Sequence, residues 1–350
     1  MTSKKNELLC IGNAIVDIFL NVDSLFLSRH GIGEGVQHIS PDKAEFVLKE
    51  IGSLSPVYCS GGGAANVAKI AAMLGVNVRF AGSAGDDRLS GIFLKELECA
   101  GVKVSLYDGE GKTGVCFISK TQHVTHVAAS PRAALELPES FISDRLLWDT
   151  KVIVLDGYML IRKGFVQNIM EKASSLGIPV AMDSSSPFIV ENAAFEILHY
   201  SRNYPMFVFM NADEAVTFYY TVARKNAETR QLNDAEKEAI ILQDICPMLK
   251  TVTQGDEFPV FVIKLGAGGA ITVVGGKIFH KRTSHVPTDN TIGAGDSFCA
   301  AFLSAWHHGK SFEECTSFGN EVAGQILDTR ENDVRKEKLK HLGKALRQSN

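Results

Sequence analysis

The sequence predicts an α/β protein built on a mostly parallel sheet that helices cover on both faces. Short β-rich runs alternate with helix-patterned segments along most of the 350 residues, an order typical of a parallel sheet. Several of these runs are apolar at every position, as expected of strands buried on both faces. The composition is that of an ordinary globular chain, with 45% hydrophobic and 22% charged residues. We therefore expect one domain over residues 1–350, with no need for a disulfide or a structural metal.

Two hydrophobic periodicities predict the individual elements. Runs rich in β-branched and aromatic residues predict strands at Glu7–Ile11, Val57–Cys59, Val78–Ala81, Val152–Leu155, Val180–Met182, Met206–Phe209 and Val260–Ile263. Helical spacing of apolar residues predicts helices at Ala64–Leu74, Leu89–Ala100, Gly164–Leu176, Ala212–Ala223 and Asp234–Lys250. The chain continues with a predicted hairpin around Gly275-Gly276, a helix over Ala294–His308 and a basic amphipathic helix over Asn332–Gln348.

Two segments interrupt this alternation. Residues 15–40 have an extended pattern with glycines as turn signals, and residues 102–127 contain three strand-like runs with no helix between them. Strands joined by short turns pair antiparallel, so we expect these segments to form a second, small sheet. A small sheet at the edge of an open α/β sheet is suited to act as a lid over a ligand. An exposed lid permits either a monomer or a homodimer joined through the lids.

Composition and charge exclude several classes of partner. Lys and Arg number 36 against 40 Asp and Glu, a net charge of −4, which argues against nucleic acid and anionic membranes as partners. The 7 cysteines are scattered without a C-x-x-C pair, which favours a reducing compartment. Because the first residues lack a signal-peptide pattern and no run of apolar residues could span a bilayer, we expect a cytoplasmic protein that binds a small molecule.

Three familiar motifs do not predict sites here. Residues 109–114 match G-x-G-x-x-G, but the dinucleotide fingerprint requires a helix after it, and a strand-like run follows. Residues 309–311 end like a phosphate-binding loop, yet Ser304 stands where its first glycine belongs. His123 and His126 have no acidic or cysteine ligand nearby in sequence, so we predict no metal site there.

The strongest chemical signal is Asn290–Phe298, a glycine-rich turn that opens an apolar helix. The backbone amides of Gly293, Ala294 and Gly295 at a helix N-terminus would form an anion cradle. Asp296 in the same turn would repel a bound phosphate, but it could accept the proton of a hydroxyl that attacks phosphorus. On this segment alone, the alternative that Asp296 only caps the helix stays open.

A second glycine-rich turn, SGGGAAN, also follows a strand and opens a helix. Gly62 and Gly63 would let a polyhydroxylated ligand approach the backbone, and Asn66 can donate and accept hydrogen bonds. Asn13 and Asp17 follow the first strand, at the carboxyl end where open α/β sheets bind ligands. We expect Asp17 to hold two vicinal hydroxyls of a sugar.

Together these segments resemble the PfkB (ribokinase-like) family of carbohydrate and nucleoside kinases. GGGAANVAKIAAMLG is similar to the first family signature and NTIGAGDSFCAAFL to the second. Between them, GSAGDDRLSGIFLKELECAGV, MDSSSPFIVENAAFEIL and MNADEAV occur in family order, so the resemblance covers nearly the whole chain. The segment before Gly61 and the block Asp183–Glu214 resemble the adenosine-kinase-like branch. The resemblance implies a ribokinase-like three-layer α/β/α fold with a β-sheet lid.

The resemblance also implies a reaction: ATP-dependent transfer of the γ-phosphate to a primary hydroxyl of a sugar or nucleoside, with adenosine slightly favoured. Asp296 would be the base, and the amides of Gly293, Ala294 and Gly295 the anion hole. The matching substrate positions are Asn13, Asp17, Gly62, Gly63 and Asn66. Asn211 and Glu214 match residues that organise Mg²⁺ through water, with no direct protein ligand, and the ATP side is matched by Lys264, Gly266 and Asn320.

Departures from the family pattern leave alternatives open. Asn290 and Ile292 replace the usual residues of a region that often carries a monovalent cation, so a K⁺ requirement is open. Ser186 replaces a residue usually acidic in this branch, and an expected lid arginine is absent from Gln122–Thr125. The alternatives are a kinase for a free sugar or sugar acid of the ribose, fructose or 2-keto-3-deoxygluconate type, and a non-catalytic ligand-binding homologue.

Overall fold

A computed structural model describes residues 7–121, 124–225, 232–255, 257–283, 293–328 and 332–348. In chain order the strands in these ranges are β1 (Glu7–Ile11), β2 (Ile15–Leu20), β3 (Gly35–His38), β4 (Val57–Gly61), β5 (Asn77–Gly85), β6 (Lys103–Gly109), β7 (Gly114–Thr121), β8 (Val124–Ser130), β9 (Thr150–Asp156), β10 (Val180–Asp183), β11 (Met206–Asn211), β12 (Val260–Lys264), β13 (Ala270–Val274) and β14 (Lys277–Lys281). The α-helices are α1 (Ser24–Arg29), α2 (Pro41–Ile51), α3 (Gly63–Met73), α4 (Arg88–Ala100), α5 (Asp144–Leu147), α6 (Lys163–Ser175), α7 (Pro187–Asn203), α8 (Ala212–Val222), α9 (Asp234–Ile240), α10 (Cys246–Val252), α11 (Ala294–His307), α12 (Phe312–Asp328) and α13 (Asn332–Gln348). A π-helical turn over Ile241–Ile245 joins α9 to α10, and no helix in these ranges is long and apolar enough to cross a membrane.

Nine of the described strands form a large sheet in the order β14-β13-β12-β11-β10-β9-β1-β5-β6. Neighbours from β12 to β6 run parallel, and β13 and β14 add an antiparallel hairpin at one edge. Successive side chains of a strand point to opposite faces, so Phe209 of β11 packs on Phe302 of α11 while Val208 joins a separate core with α6, α7 and α8. The predicted mostly parallel sheet with helices on both faces is confirmed.

The other five described strands form a small sheet in the order β3-β8-β7-β2-β4. The antiparallel pairing of β7 with β8 agrees with the expectation for residues 102–127. Strand β6 does not, because it pairs parallel with β5 in the large sheet. The helix between β5 and β6, α4, supplies the crossover that a parallel connection needs. Grouping β6 with the strands that follow it was therefore wrong.

Strand β4 and residues 15–40 also differ from the prediction. Strand β4 pairs antiparallel with β2 in the small sheet, and its first residues are exposed or half-buried, unlike those of a strand covered on both faces. Residues 15–40 are interrupted by α1, which Asp23 caps by accepting a hydrogen bond from the Phe26 backbone nitrogen at 2.8 Å. Helices α1 and α2 pack on the small sheet, where Phe26 and Val47 share a core with Ile18.

Candidate active site

Five neighbouring strands of the large sheet end on polar residues that line one cavity of about 800 Å³. These residues are Asn13, two positions after β1, and the last residues of β9, β10, β11 and β12, namely Asp156, Asp183, Asn211 and Lys264. Parallel strands present their carboxyl ends at one edge, which is where open α/β sheets bind ligands. The prediction for Asn13 rested on this rule. Applied to the next strands, the same rule would have found Asp156 and Asp183, which the sequence reasoning did not single out.

The two glycine-rich turns meet at Asp296. Asn66 Nδ2 donates a hydrogen bond to Asp296 Oδ2 at 2.9 Å, although the two residues are 230 positions apart in the chain. A Cβ atom on Gly63 would lie 3.7 Å from Asp296 Oδ1. Helix α11 begins after Gly293, which has a φ of +81° and no side-chain cap. Asp296 thus lies in the first turn of α11 and also contacts α3, a contact that capping of its own helix would not require.

Burial controls the ionisation of Asp296. The pKa of its carboxyl is raised to about 7. Burial is the main cause and the charge of Asp183 acts in the same direction, while the hydrogen bond from Asn66 and the charge of Lys264 act to lower the pKa. A carboxyl with a pKa near neutrality can both release and accept a proton at physiological pH. Perturbed carboxyls of this kind cluster at functional sites.

A partly buried ion pair lies beside the first turn of α11. The Lys264 Nζ atom is 2.5 Å from Asp183 Oδ2, and Cys299 Sγ donates to the same oxygen at 3.0 Å. Burial alone would lower the pKa of Lys264, but the adjacent Asp183 carboxylate holds it above its usual range, so the ammonium stays charged. A Cβ atom on Gly295 would lie 3.3 Å from Lys264 Nζ. The cation is therefore held next to the turn that was predicted to cradle an anion.

Asn211 and Glu214 form a capping box at the start of α8. The Asn211 backbone nitrogen donates to Glu214 Oε2 at 2.8 Å, and the Glu214 backbone nitrogen donates to Asn211 Oδ1 at 2.9 Å. Both side chains also line the cavity. Burial, followed by the charge of Asp183, raises the pKa of Glu214 to about 7, against the opposing charge of Lys264.

Asp17 and Asn13 approach the cavity from the junction of the two sheets. Burial raises the pKa of Asp17 to about 6. A Cβ atom on Gly61 would lie 2.1 Å from Asp17 Oδ1, so only glycine leaves room for this carboxylate. Asn13 Oδ1 is buried and accepts no hydrogen bond from the described residues, and the carbonyl of Asn13 packs against Gly62, whose φ is +91°. Buried acceptors are normally hydrogen-bonded, so this oxygen has the capacity to accept from a bound group.

Asp156 completes the acidic wall of the cavity. Its Oδ1 atom accepts hydrogen bonds from the Tyr158 backbone nitrogen at 3.0 Å and from Ser185 Oγ at 3.1 Å. A Cβ atom on Gly63 would lie 3.7 Å from the other oxygen, Oδ2. Burial raises the pKa of this carboxyl. The Gly63 backbone N–H also donates a hydrogen bond to this carboxylate, which holds Asp156 against the glycine turn.

Apolar side chains line much of the remaining cavity wall. They belong to the small sheet, to the segment that follows β8, and to the segments that follow β9 and β10: Val36, Val127, Ala129, Pro131, Leu135, Ile161 and Phe188. Val36 is 62% exposed and Phe188 is 60% exposed. Such a wall would pack against a planar, weakly polar group better than against a ring covered with hydroxyls.

The remaining predicted positions do not line this cavity. Gly293 and Ala294 lie at the N-terminus of α11, and Gly266 begins a 3₁₀ turn after β12 with a φ of +58°. Asn320 of α12 donates to the Lys281 carbonyl oxygen of β14 at 2.7 Å, which ties that helix to the sheet edge. Residues 290–292, on which the question of K⁺ depends, lie outside the described residues.

Comparison with known proteins gives three kinds of similarity. Residues 53–334 match the model of the pfkB family carbohydrate kinases. Adenosine kinase 1 of Arabidopsis thaliana is 28% identical over 91% of this chain and 93% of its own length, and 5-dehydro-2-deoxygluconokinase of Lacticaseibacillus casei is 27% identical over 76% of this chain and 80% of its own. The crystal structure of adenosine kinase from Sinorhizobium meliloti superposes with a TM-score of 0.79 at 28% identity, covering 99% of this chain and 100% of that one.

Proposed function

The chain belongs to the pfkB family of carbohydrate kinases, and from that premise we propose that it transfers the γ-phosphate of ATP to the primary hydroxyl of adenosine. Membership makes it a phosphotransferase with an alcohol group as acceptor. The observation that carries the proposal is the 2.9 Å hydrogen bond between Asn66 Nδ2 and Asp296 Oδ2. This contact fixes an acidic group between two glycine-rich turns, where an acceptor hydroxyl and a donor phosphate could meet.

Asp296 is the proposed general base. Its pKa of about 7 suits a group that takes the proton of a hydroxyl as the hydroxyl oxygen attacks phosphorus. Asn66 occupies Oδ2, so Oδ1 is the oxygen free to receive that proton. General-base catalysis of this kind typically contributes about two to four orders of magnitude in rate.

The first turn of α11 is the proposed anion hole. Backbone amides of Gly293, Ala294 and Gly295 at the positive end of the helix dipole would stabilise negative charge on the transferred phosphoryl group. Lys264 lies beside Gly295 and stays protonated, so it adds a fixed positive charge at the same place. We propose that Lys264, Gly266 and Asn320 form the ATP side of the site.

The acceptor would lie between Asp17 and the apolar wall. Asp17 and the unpartnered Asn13 Oδ1 are proposed to hold the ribose hydroxyls, with Gly62 and Gly63 allowing close approach of the sugar. The purine would pack on apolar residues such as Val36 and Phe188. We propose that the small sheet is a lid that closes over this acceptor and excludes water from the reacting atoms.

The polar residues at the cavity also fit a magnesium ion held through water. Glu214 has a carboxylate that burial and Asp183 make costly to ionise, and a nearby cation would favour its ionised form. Asn211 and Glu214 would hold the water shell of the ion rather than the ion itself. When bound, Mg²⁺ supplies positive charge that shields the ATP phosphates.

A free sugar or sugar acid is the second candidate acceptor. It is favoured by the similarity to the 5-dehydro-2-deoxygluconokinase of Lacticaseibacillus casei, a sugar-acid enzyme by its name. Lys264 is the one lysine or arginine among the described residues that line the cavity, and it is proposed to act on the phosphate of ATP rather than on the carboxylate of a sugar acid. The apolar wall offers few partners for further hydroxyls. We therefore rank a nucleoside first.

A panel of acceptors decides between the two candidates. Purified protein with ATP and Mg²⁺, with and without K⁺, would be assayed for ADP release on nucleosides, hexoses, ketoses and sugar acids. The proposal expects adenosine to give the highest kcat/KM of the panel. A sugar or sugar acid with a higher kcat/KM than every nucleoside would contradict adenosine as the acceptor. The assignment as a phosphotransferase would not be affected.

A further inference from the structure

A partly buried polar cluster lies next to the Gly61–Gly63 turn, outside the residues that line the cavity. Lys69 Nζ of α3 donates to the Ser60 carbonyl oxygen at 2.7 Å and to Ser60 Oγ at 2.9 Å. Glu96 Oε2 of α4 accepts from the Ser60 backbone nitrogen at 2.6 Å and from Ser60 Oγ at 2.9 Å. Ser60 therefore contacts a cation from one helix and an anion from the next.

Strand pairing brings this cluster close to Asp17. Strands β2 and β4 are antiparallel, with Val16 opposite Ser60 and Asp17 opposite Cys59. The Asp17 carboxylate leans over Gly61, the residue after Ser60, since a Cβ atom there would lie 2.1 Å from Asp17 Oδ1. Burial is the main influence on Asp17 and raises its pKa to about 6, while the Lys69 ammonium lowers it and the Glu96 carboxylate raises it.

Two thiols also lie beside Asp17 among the described residues. Cys59 of β4 and Cys116 of β7 flank Asp17 across the small sheet. Burial raises the pKa of both thiols, so neither carries charge near neutral pH. Asp296 of α11 also interacts with the charge of Lys69, whose own pKa is lowered by burial and raised by Glu96 and Asp17. Lys69 and Glu96 are thus the charges that act on Asp17 most directly.

We propose that Lys69 and Glu96 are positioning residues with opposite effects on Asp17. Together they set the charge that Asp17 presents to the vicinal hydroxyls of the acceptor. The inference rests on the proposed function, because it takes Asp17 as the group that accepts hydrogen bonds from those hydroxyls. A buried carboxylate without a cation would be protonated and would lose acceptor capacity. A buried carboxylate fully paired with a lysine would have its oxygens occupied by that lysine. Ser60 holds Lys69 and Glu96 in place through its hydrogen bonds. Both charges therefore act on Asp17, while its oxygens stay available to accept hydrogen bonds from the acceptor.

Titration of Asp17 itself tests the pair without any substrate. The carboxyl ¹³C signal of Asp17, assigned by its loss in Asp17→Asn, would be followed against pH in wild type, Lys69→Met and Glu96→Gln. We expect Lys69→Met to raise the Asp17 pKa by about one unit, Glu96→Gln to lower it, and Lys69→Arg to leave it near the wild-type value. Shifts in the same direction for Lys69→Met and Glu96→Gln, or no shift in either, would overturn the proposal. Glu96→Gln carries the test alone if Lys69→Met does not fold.

Adenosine affinity without ATP supplies the second readout. At pH 6.5, calorimetry should show binding about threefold weaker in Lys69→Met, the loss expected when the pKa rises by one unit, and no weaker in Glu96→Gln. In an Asp17→Asn background Lys69→Met should have no further effect, and an undiminished loss there would contradict action through Asp17. If the two variants shift the Asp17 pKa in opposite directions but wild type binds no adenosine, the effect of Lys69 and Glu96 on Asp17 is supported. In that case adenosine as the acceptor is contradicted.

Discussion

Asn66 Nδ2 and Asp296 Oδ2 lie 2.9 Å apart, which joins the first turn of α3 to the first turn of α11 across 230 positions of sequence. The hydrogen bond lowers the pKa of a carboxyl that burial raises to about 7. It also orients the group, since it leaves Oδ1 facing Gly63. The contact thus links the orientation of Asp296 to its ionisation.

Removal of this hydrogen bond should change both rate and pH dependence. Asn66→Ala is expected to lower kcat/KM about tenfold or more, the usual effect of losing a hydrogen bond to a charged group. The acid limb of the rate profile should move to higher pH because the pKa of Asp296 rises. Steady-state rates between pH 5.5 and 9 measure both effects. A tenfold loss with an unmoved acid limb would mean that Asn66 contacts the substrate and does not act through Asp296.

Asp296 should also make the fold less stable as pH rises. Its pKa is about 7 in the folded protein against roughly 3.9 when unfolded, so between these values only the folded state holds the proton. Stability from this group is therefore lost from about pH 4 to 7, on the order of a few kcal/mol. In thermal unfolding, the Tm of Asp296→Asn relative to wild type should increase as pH rises through this window. Above the window the difference should stay at its higher value. A constant difference in Tm across the window would contradict the raised pKa.

The Asp183–Lys264 ion pair should be essential to the fold and to the reaction for different reasons. Lys264→Met leaves Asp183 buried without its cation and is expected to cost about 3–5 kcal/mol in the free energy of unfolding. Combining it with Asp183→Asn removes the unpaired charge, so stability should largely return. Activity should not return, because the positive charge beside Gly295 is still missing. Denaturant unfolding and kcat of wild type and the two variants test this, and a double variant with restored kcat would exclude a role for the ammonium in transfer.

Gly61 offers a matched pair of glycine substitutions. Gly61→Ala would place a Cβ atom 2.1 Å from Asp17 Oδ1, so we expect weaker adenosine binding by about tenfold and a loss of about 1–3 kcal/mol in stability. Gly91→Ala is the control, since this exposed glycine of α4 has no atom within 4 Å of its Cβ position. It should stabilise the helix by about 0.5–1 kcal/mol and leave affinity unchanged. Equal affinities in the two variants would show that Asp17 does not need the space above Gly61.

Much of the site was predictable because it follows from local rules. The two glycine-rich turns each lie between a strand and a helix, so Gly62, Gly63 and Asp296 could be placed at helix N-termini from sequence. Their meeting did not follow from the rule for parallel strands, because β4 pairs antiparallel in the small sheet and β14 pairs antiparallel at the edge of the large sheet. The pairing of Asp183 with Lys264 was not predictable either, because these residues end β10 and β12, which β11 separates, and neither local spacing nor periodicity reports such a contact.

The errors in the fold have physical causes of the same kind. Strand β6 was assigned to the small sheet because its own residues do not show which neighbour it pairs with, whereas α4 before it does. Helices α2 and α7 were not predicted, although Ser40-Pro41 and Ser186-Pro187 are helix-start signals, with serine as N-cap and proline in the first turn. Strand β4 is short and ends in glycines, so only its partner β2 decides its sheet.

The most direct test of the account is AMP formation from adenosine and ATP by wild type and Asp296→Asn. The carboxamide keeps the shape of the side chain and its contact with Asn66 but cannot accept the hydroxyl proton. We predict that wild type forms AMP and that kcat falls by about two to four orders of magnitude in the variant, with adenosine affinity within a few-fold of wild type. A variant that phosphorylates adenosine at nearly the wild-type rate would contradict the assignment of Asp296 as the base.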